Sequence, residues 1–326
     1  MTAVAVAALT VSLAACGERS DDRAAAGAGS GYPVTVDNCG QALTIKSRPK
    51  NVLMLSTVTA PSIEEAGGLG QLGSYTGNPE STYLSDAVRS RLKQIPQVVS
   101  QVTSSDLNRE KVVDIGPDLV IGYGNQAISP DSLAEVGIPM YVPPAWCANP
   151  PAKVSFDDAY KQVEVFGKIF GHPDTAAGSV EDMRKRVAAV KPNTLGLTKA
   201  AFVYPRADGG ALSSYGTGSI ADAQIKQLGL TNVYGDKPGR GFEVSAESLV
   251  DADPQVVIVV YSETSDAATA RKQFEAVPGV ASIDAVKAGR IIAVPVAALD
   301  PAGPGSVSGL EFLSEQLAKV PAAAGN

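Results

Sequence analysis

The chain holds one histidine, three cysteines and one tryptophan in 326 residues, and these scarce groups bound its chemistry before any fold is considered. His172 stands alone, so a zinc or manganese centre built from several imidazoles is excluded. A Ser/His/Asp catalytic set would have to use the same His172, which sits in Gly171-His172-Pro173, a turn sequence with no nucleophile elbow near it. Gly216-Thr-Gly218-Ser-Ile-Ala221 begins like a glycine-rich nucleotide loop but lacks the third glycine and the lysine that hold phosphates. It reads instead as the opening of a helix from Ala221 to Leu228. Nothing here calls for an enzyme.

The cysteines say more. Residues 3–15, AVAVAALTVSLAA, form an apolar run as long as a signal-peptide core and too short to span a bilayer comfortably. It ends in Leu13-Ala-Ala-Cys16-Gly17, which resembles a bacterial lipobox, where the cysteine becomes the lipidated first residue of the mature protein. An ordinary cleavable signal with an incidental Cys16 is the alternative. No Lys or Arg precedes the run, so the true start is expected upstream of Met1. Residues 16–31 are small and polar and read as a flexible tether. If Cys16 carries lipid, Cys39 and Cys147 are left together in an oxidising compartment. A disulfide is the economical expectation, with two unpaired buried thiols as the alternative. It would close a loop of roughly a hundred residues and contribute on the order of 4 kcal/mol on the chain-entropy model.

The surrounding chain must position such groups. Hydrophobic residues make up 44% and charged residues 19%, the balance of a soluble globular protein long enough for two domains. The net charge of −7, without any Lys/Arg cluster, argues against nucleic acid as a partner. Short apolar runs at 51–55, 118–123, 139–142, 200–204, 255–261 and 290–296 lack polar alternation, as strands covered on both faces do. They predict an α/β architecture. Between the two groups of runs, Ser155 is placed to cap a helix carrying Ala159, Val163, Phe166 and Phe170 on one face. After the Gly-His-Pro break a second helical segment continues from Asp174 to Lys191-Pro192. The expected organisation is a signal peptide at 1–15, a tether at 16–31, an N-lobe at 32–153, a connecting helix at 154–192 and a C-lobe at 193–326.

The two lobes share a local pattern. Glu110-Lys-Val-Val-Asp114-Ile-Gly-Pro117 leads into Asp-Leu-Val-Ile121, and Glu247-Ser-Leu-Val-Asp251-Ala-Asp-Pro254 leads into Gln-Val-Val-Ile258. Each reads as a short helix opened by an acidic residue, closed by proline and feeding a buried strand.

With these elements the chain resembles the helical-backbone class of ABC importer binding proteins for ferric siderophores, haem and cobalamin. The carriers are Arg48-Pro-Lys-Asn-Val-Leu-Met-Leu-Ser56, Gly68-Leu-Gly70 with Gly73, the element at 110–120, Leu133-Ala-Glu-Val-Gly137-Ile-Pro139, Leu228-Gly-Leu230 and Val244-Ser-Ala-Glu247. The resemblance, covering about residues 32–320, implies two Rossmann-like lobes joined by a single long rigid helix, with ligand in a shallow cleft. It further implies a monomer on the outer face of the cytoplasmic membrane, lipid-anchored, that delivers a ferric siderophore to an ABC permease without a cofactor or metal of its own. Haem, cobalamin or a non-transport binding role are the alternatives. Glu110 and Glu247 match the surface carboxylates that the family offers to basic sockets on the permease; each also favours its own helix N-terminus. Cleft residues of such proteins are often Arg, Tyr and Trp, which donate to anionic oxygens and cover an organic shell. Candidates at strand ends are Tyr75, Tyr123, Trp146, Tyr204, Arg206, Tyr215, Arg240 and Tyr261. Arg206 is the best placed, directly after an apolar strand, although pairing with Asp208 would account for it equally. Trp146, beside Cys147, would alternatively cover the disulfide.

Overall fold

The structure is a computed structural model that describes residues 31–81, 83–100, 106–206, 212–262 and 265–323. The apolar run, Cys16 and nearly all of the tether lie outside the described residues. The described chain enters as an antiparallel hairpin, β1 (Val34–Asn38) and β2 (Gln41–Ile45). Cys39 (φ 57°) and Gly40 (φ 84°) turn it in the left-handed region that a tight two-residue turn demands. Five strands follow: β3 (Val52–Met54), β4 (Leu72–Thr76), β5 (Gln97–Val99), β6 (Leu119–Ile121) and β7 (Met140–Tyr141). They form a wholly parallel sheet in the order β5-β4-β3-β6-β7, interleaved with helices α1 (Ala60–Glu65), α2 (Asp86–Leu92), α3 (Arg109–Ile115) and α4 (Pro130–Ala134). The chain winds outward from β3 to β5 and then restarts on the other side at β6, which places the switch point between β3 and β6. Open α/β sheets bind ligands beyond the strand ends at such a point.

The hairpin is fastened to the edge of this sheet. Asn38 accepts from the Val142 amide at 2.8 Å and donates to the Met140 carbonyl at 3.0 Å, standing in for a strand partner. The Cys39–Cys147 disulfide, with a Cα–Cα distance of 5.4 Å, completes the attachment, so the paired alternative read from the cysteines is the one the structure forms.

Where the family resemblance implied a single long connecting helix, two helices pack against each other, α5 (Phe156–Phe170) and α6 (Pro173–Ala189), broken where the sequence placed Gly-His-Pro. The break has a local cause. Gly171 adopts φ 74°, the His172 amide turns back to the Gly167 carbonyl at 2.8 Å, and Pro173 can only start a new helix. Gly167 allows the close approach, because a Cβ there would lie 2.4 Å from that of Ala176. Arg184 pairs with Asp157 at 3.1 Å and lies over the Tyr160 ring, binding the end of α6 to the start of α5. Arg48 donates to the Gly171 carbonyl at 2.9 Å, tying the approach to β3 to the same break.

The second sheet contains β8 (Lys199–Pro205), β9 (Leu212–Ser214), β10 (Thr231–Asn232), β11 (Phe242–Val244), β12 (Val256–Tyr261) and β13 (Ile291–Pro295). Its order is β11-β9-β8-β12-β13, with β10 alongside the start of β8. β8, β12 and β13 pair in parallel, while β9 pairs antiparallel with both β8 and β11 towards the other edge. Helices α7 (Ile220–Gln227), α8 (Ala246–Ala252), α9 (Ala267–Glu275), α10 (Asp284–Lys287) and α11 (Pro304–Leu317) complete the lobe.

Both sheets are buried on both faces, and strand alternation divides their side chains between different cores. Val52, Met54, Leu119 and Ile121 of the first sheet join Ala200, Phe202, Val256 and Ile258 of the second in one continuous apolar cluster. Phe166 and Phe170 of α5, Met183 of α6 and Leu310 of α11 lie in the same cluster. Leu53 and Val120 face a separate cluster behind the first sheet, and Val203, Val257 and Val259 another behind the second. Each lobe therefore owns its outer core and shares the inner one. Fully buried Phe166 and Phe170 each contribute roughly 2–3 kcal/mol through apolar burial. Arg186 of α6 clamps α11 by a two-pronged bond to Glu311 at 2.9 and 2.6 Å, and that bond holds its guanidinium pKa above the ordinary arginine value.

Candidate functional site

The carboxyl ends of the first sheet present aromatic side chains towards the second lobe. β6 runs into Gly122 (φ 135°), where a Cβ would lie 2.8 Å from that of Leu55, and the next residue, Tyr123, emerges into the cleft. After β7 the run Pro143-Pro144-Ala145-Trp146 makes a tight turn whose fixed backbone holds the indole. The Tyr123 and Trp146 rings stand 5.0 Å apart, tilted by 57°. Trp146 and the neighbouring Cys147 both pack against the core behind the first sheet.

Arg240 faces them from the other lobe. Its loop is pressed against Gly216-Thr217-Gly218: the Gly216 amide donates to the Gly239 carbonyl at 3.2 Å and the Thr217 amide to the Lys237 carbonyl at 2.8 Å. A Cβ at Gly216 would lie 2.2 Å from the Lys237 oxygen, and one at Gly218 2.6 Å from that of Pro238. The glycines thus serve close backbone packing, and the helix expected after them is α7, capped by Ser219. Arg240 Nε donates to Asp300 Oδ1 at 3.0 Å, and Nη2 donates to Oδ2. Nη1 reaches the Ala145 carbonyl of the opposite lobe at 3.4 Å, so one guanidinium joins both halves. Burial disfavours its charge, but the bond and charge of Asp300 outweigh that and raise its pKa. Beside the pair, the Tyr215 phenol is pushed up by burial and by the neighbouring Asp300 carboxylate, and stays a neutral donor. Beneath them a cavity of about 240 Å³ lies between the lobes, lined largely by Tyr141, Pro143, Pro151, Ile220 and Leu299.

Of the residues expected at the cleft, Tyr123, Trp146, Tyr215 and Arg240 gather around this point. Tyr204 lies close enough for its charge to bear on Tyr215. Tyr75 belongs elsewhere: at 4% exposure it is part of the shared core, because its place in β4 points it at the inner face. Tyr261 ends β12 at a second groove, with Tyr83, Pro295 and α11. Arg206 is exposed and pairs with Glu243 at 3.5 Å, while Asp208 lies outside the described residues. Asp300 was not anticipated. It is 60 positions from its partner, and the only cue is an Asp-Pro directly after the last strand.

Glu110 and Glu247 occupy matching places. Each is the second residue of its helix, in α3 after the Asn108 cap and in α8 after the Ser245 cap. Both are exposed, and neither carboxylate has an ion-pair or hydrogen-bond partner among the described residues. Each helix ends in a left-handed residue, Gly116 (φ 62°) or Asp253 (φ 41°), then proline, then a central strand.

The family model described as "Periplasmic binding protein" matches residues 57–298, from the first helix through the turn that precedes Asp300. The chain belongs to the periplasmic binding protein family. It is accordingly a binding protein and not an enzyme. Over 320 residues it is 26% identical to the uncharacterized ABC transporter substrate-binding lipoprotein YvrC of Bacillus subtilis, covering 94% of this chain and 93% of that one. It is 27% identical over 276 residues to a cobalamin-binding protein of Halobacterium salinarum, covering 81% and 68%. Among solved structures, that of an ABC-type Fe3+-hydroxamate transport system from Saccharomonospora viridis superposes with a TM-score of 0.79 at 30% identity, covering 87% of this chain and 99% of the other.

Proposed function

We propose that this binding protein captures a ferric siderophore outside the cytoplasmic membrane, anchored there by lipid on Cys16, and delivers it to an ABC importer. One observation carries the ligand reading: an aromatic wall, Tyr123 with Trp146, faces an arginine and a neutral phenol, Arg240 and Tyr215, across the cleft. Aromatic faces cover the organic shell of a chelate, and phenol and guanidinium groups donate to its metal-bound oxygens. Iron enters as cargo inside its chelate. Among the described residues no three His, Cys, Asp or Glu side chains converge to hold a bare ion. The similarity to a structure named for Fe3+-hydroxamate transport supports the same reading.

Delivery uses Glu110 and Glu247, one exposed carboxylate per lobe at the same helical position, each offered to a basic group on the permease. A second reading, a cobalamin carrier, draws on the halobacterial relative. The sole tryptophan separates the two. Trp146 fluorescence is titrated with ferrichrome, ferric enterobactin, haemin and cyanocobalamin. Saturable quenching by a ferric siderophore alone is expected; saturable quenching by cyanocobalamin or haemin alone overturns the siderophore assignment.

A further inference from the structure

The arginine at the cleft, Arg240, is already matched to a carboxylate: Asp300 takes two of its nitrogens at once. The remaining nitrogen of Arg240 reaches the Ala145 carbonyl, so three of its five N–H donors are taken and its charge is already paired before any anion arrives. The cavity wall carries Asp37, Asp158 and Asp300 against Lys161 and Arg240, one negative charge in excess. The rest of the cavity wall is uncharged, prolines and aliphatic side chains with Tyr141, Gln162 and Ser219, and the Tyr123 and Trp146 rings form a pair close by.

We infer that Asp300 sets the charge preference of the cleft: by holding Arg240 it admits an electroneutral ferric chelate and turns away an anionic one. This rests on the siderophore reading and assigns a class within it. In a ferric trishydroxamate the three ligand charges cancel that of the metal, whereas a ferric triscatecholate keeps a threefold negative charge. An anion entering this site must either break the Arg240–Asp300 bond or lie against an uncompensated carboxylate. A neutral chelate meets neither cost and still gains the aromatic faces. Discrimination of this kind is repulsive: the site rejects the wrong ligand without needing a special contact for the right one.

The test is equilibrium dialysis of the purified protein against radio-iron ferrichrome, an electroneutral trishydroxamate, and ferric enterobactin, a trianionic triscatecholate. Wild type is expected to favour ferrichrome by at least about tenfold. Asp300→Asn frees Arg240 while keeping the side-chain shape, and is expected to raise ferric enterobactin affinity about tenfold while changing ferrichrome by less than about threefold. Asp300→Glu keeps the wild-type order. A wild-type preference for ferric enterobactin, or an unchanged ratio in a folded Asp300→Asn protein, overturns the inference alone. Binding of neither chelate, with binding of cyanocobalamin or haemin, overturns the siderophore reading and the charge rule together.

Discussion

The two lobes repeat each other where they meet the outside and differ where they meet the cleft. α3 and α8 are both seven residues long, capped alike, with an unpaired glutamate in the first turn, and each feeds the strand beside its sheet's switch point. The cleft faces are unlike. The first lobe contributes two rings and a backbone carbonyl from a wholly parallel sheet whose edge hairpin is locked by a disulfide. The second contributes the Arg240–Asp300 pair, from a loop packed on glycines and from the turn after β13. On the proposed function, a task needed twice, such as contact at two separated points, keeps the repeat, whereas a single ligand with an organic shell and polar oxygens does not.

The comparison can be broken most decisively at the repeated element. Glu110→Lys with Glu247→Lys is expected to abolish uptake of radio-iron by cells while leaving the dissociation constant of the purified protein within about threefold of wild type. Wild-type transport rates in the double variant would remove the docking role. The contrast between the lobes is sharpened at the disulfide, which only the first possesses. Cys39→Ser with Cys147→Ser is expected to lower unfolding free energy in urea by about 4 kcal/mol on the loop-entropy model. Because the inner core is common property, the loss should appear as one transition for the whole molecule. Two separated transitions would show that the lobes are energetically independent. The smallest effect concerns a buried phenol of the first lobe. Burial pushes Tyr141 up to about 12, with Gln162 donating to its oxygen at 3.3 Å. As pH rises past about 10 the unfolded chain ionises first, so this contribution, whole below pH 10, is lost by about pH 12 and amounts to about 3 kcal/mol at most. Tyr141→Phe should flatten that part of the alkaline stability curve; an unchanged curve would mean that the phenol is wetter than its burial implies.

Much of this was legible in the residues. All six apolar runs became central or neighbouring parallel strands, because burial on both faces demands that composition. The Gly-His-Pro break, the repeated helix and the cysteine pair were equally visible, since each depends on backbone rules acting within a few residues. β4, with the sequence Leu-Gly-Ser-Tyr-Thr, was missed because its small and polar side chains are tolerated only where neighbouring elements cover them. Position at a strand end told which residues lie near the cleft but not which face they turn to. Tyr123 and Tyr75 look alike in sequence, and one lies in the cleft while the other fills the core. Asp300 was invisible because its role depends on a loop distant in sequence that packing brings beside it.

The inner core shared by the lobes has a cellular consequence. A molecule joined through α5, α6 and α11 by one apolar core is expected to keep its two outward carboxylates at nearly constant spacing, whether the cleft is filled or vacant. On the proposed docking, vacant carriers then compete with loaded ones for the same importers. The rate of iron entry would depend on the ratio of carriers to importers in the membrane as well as on the supply of chelate.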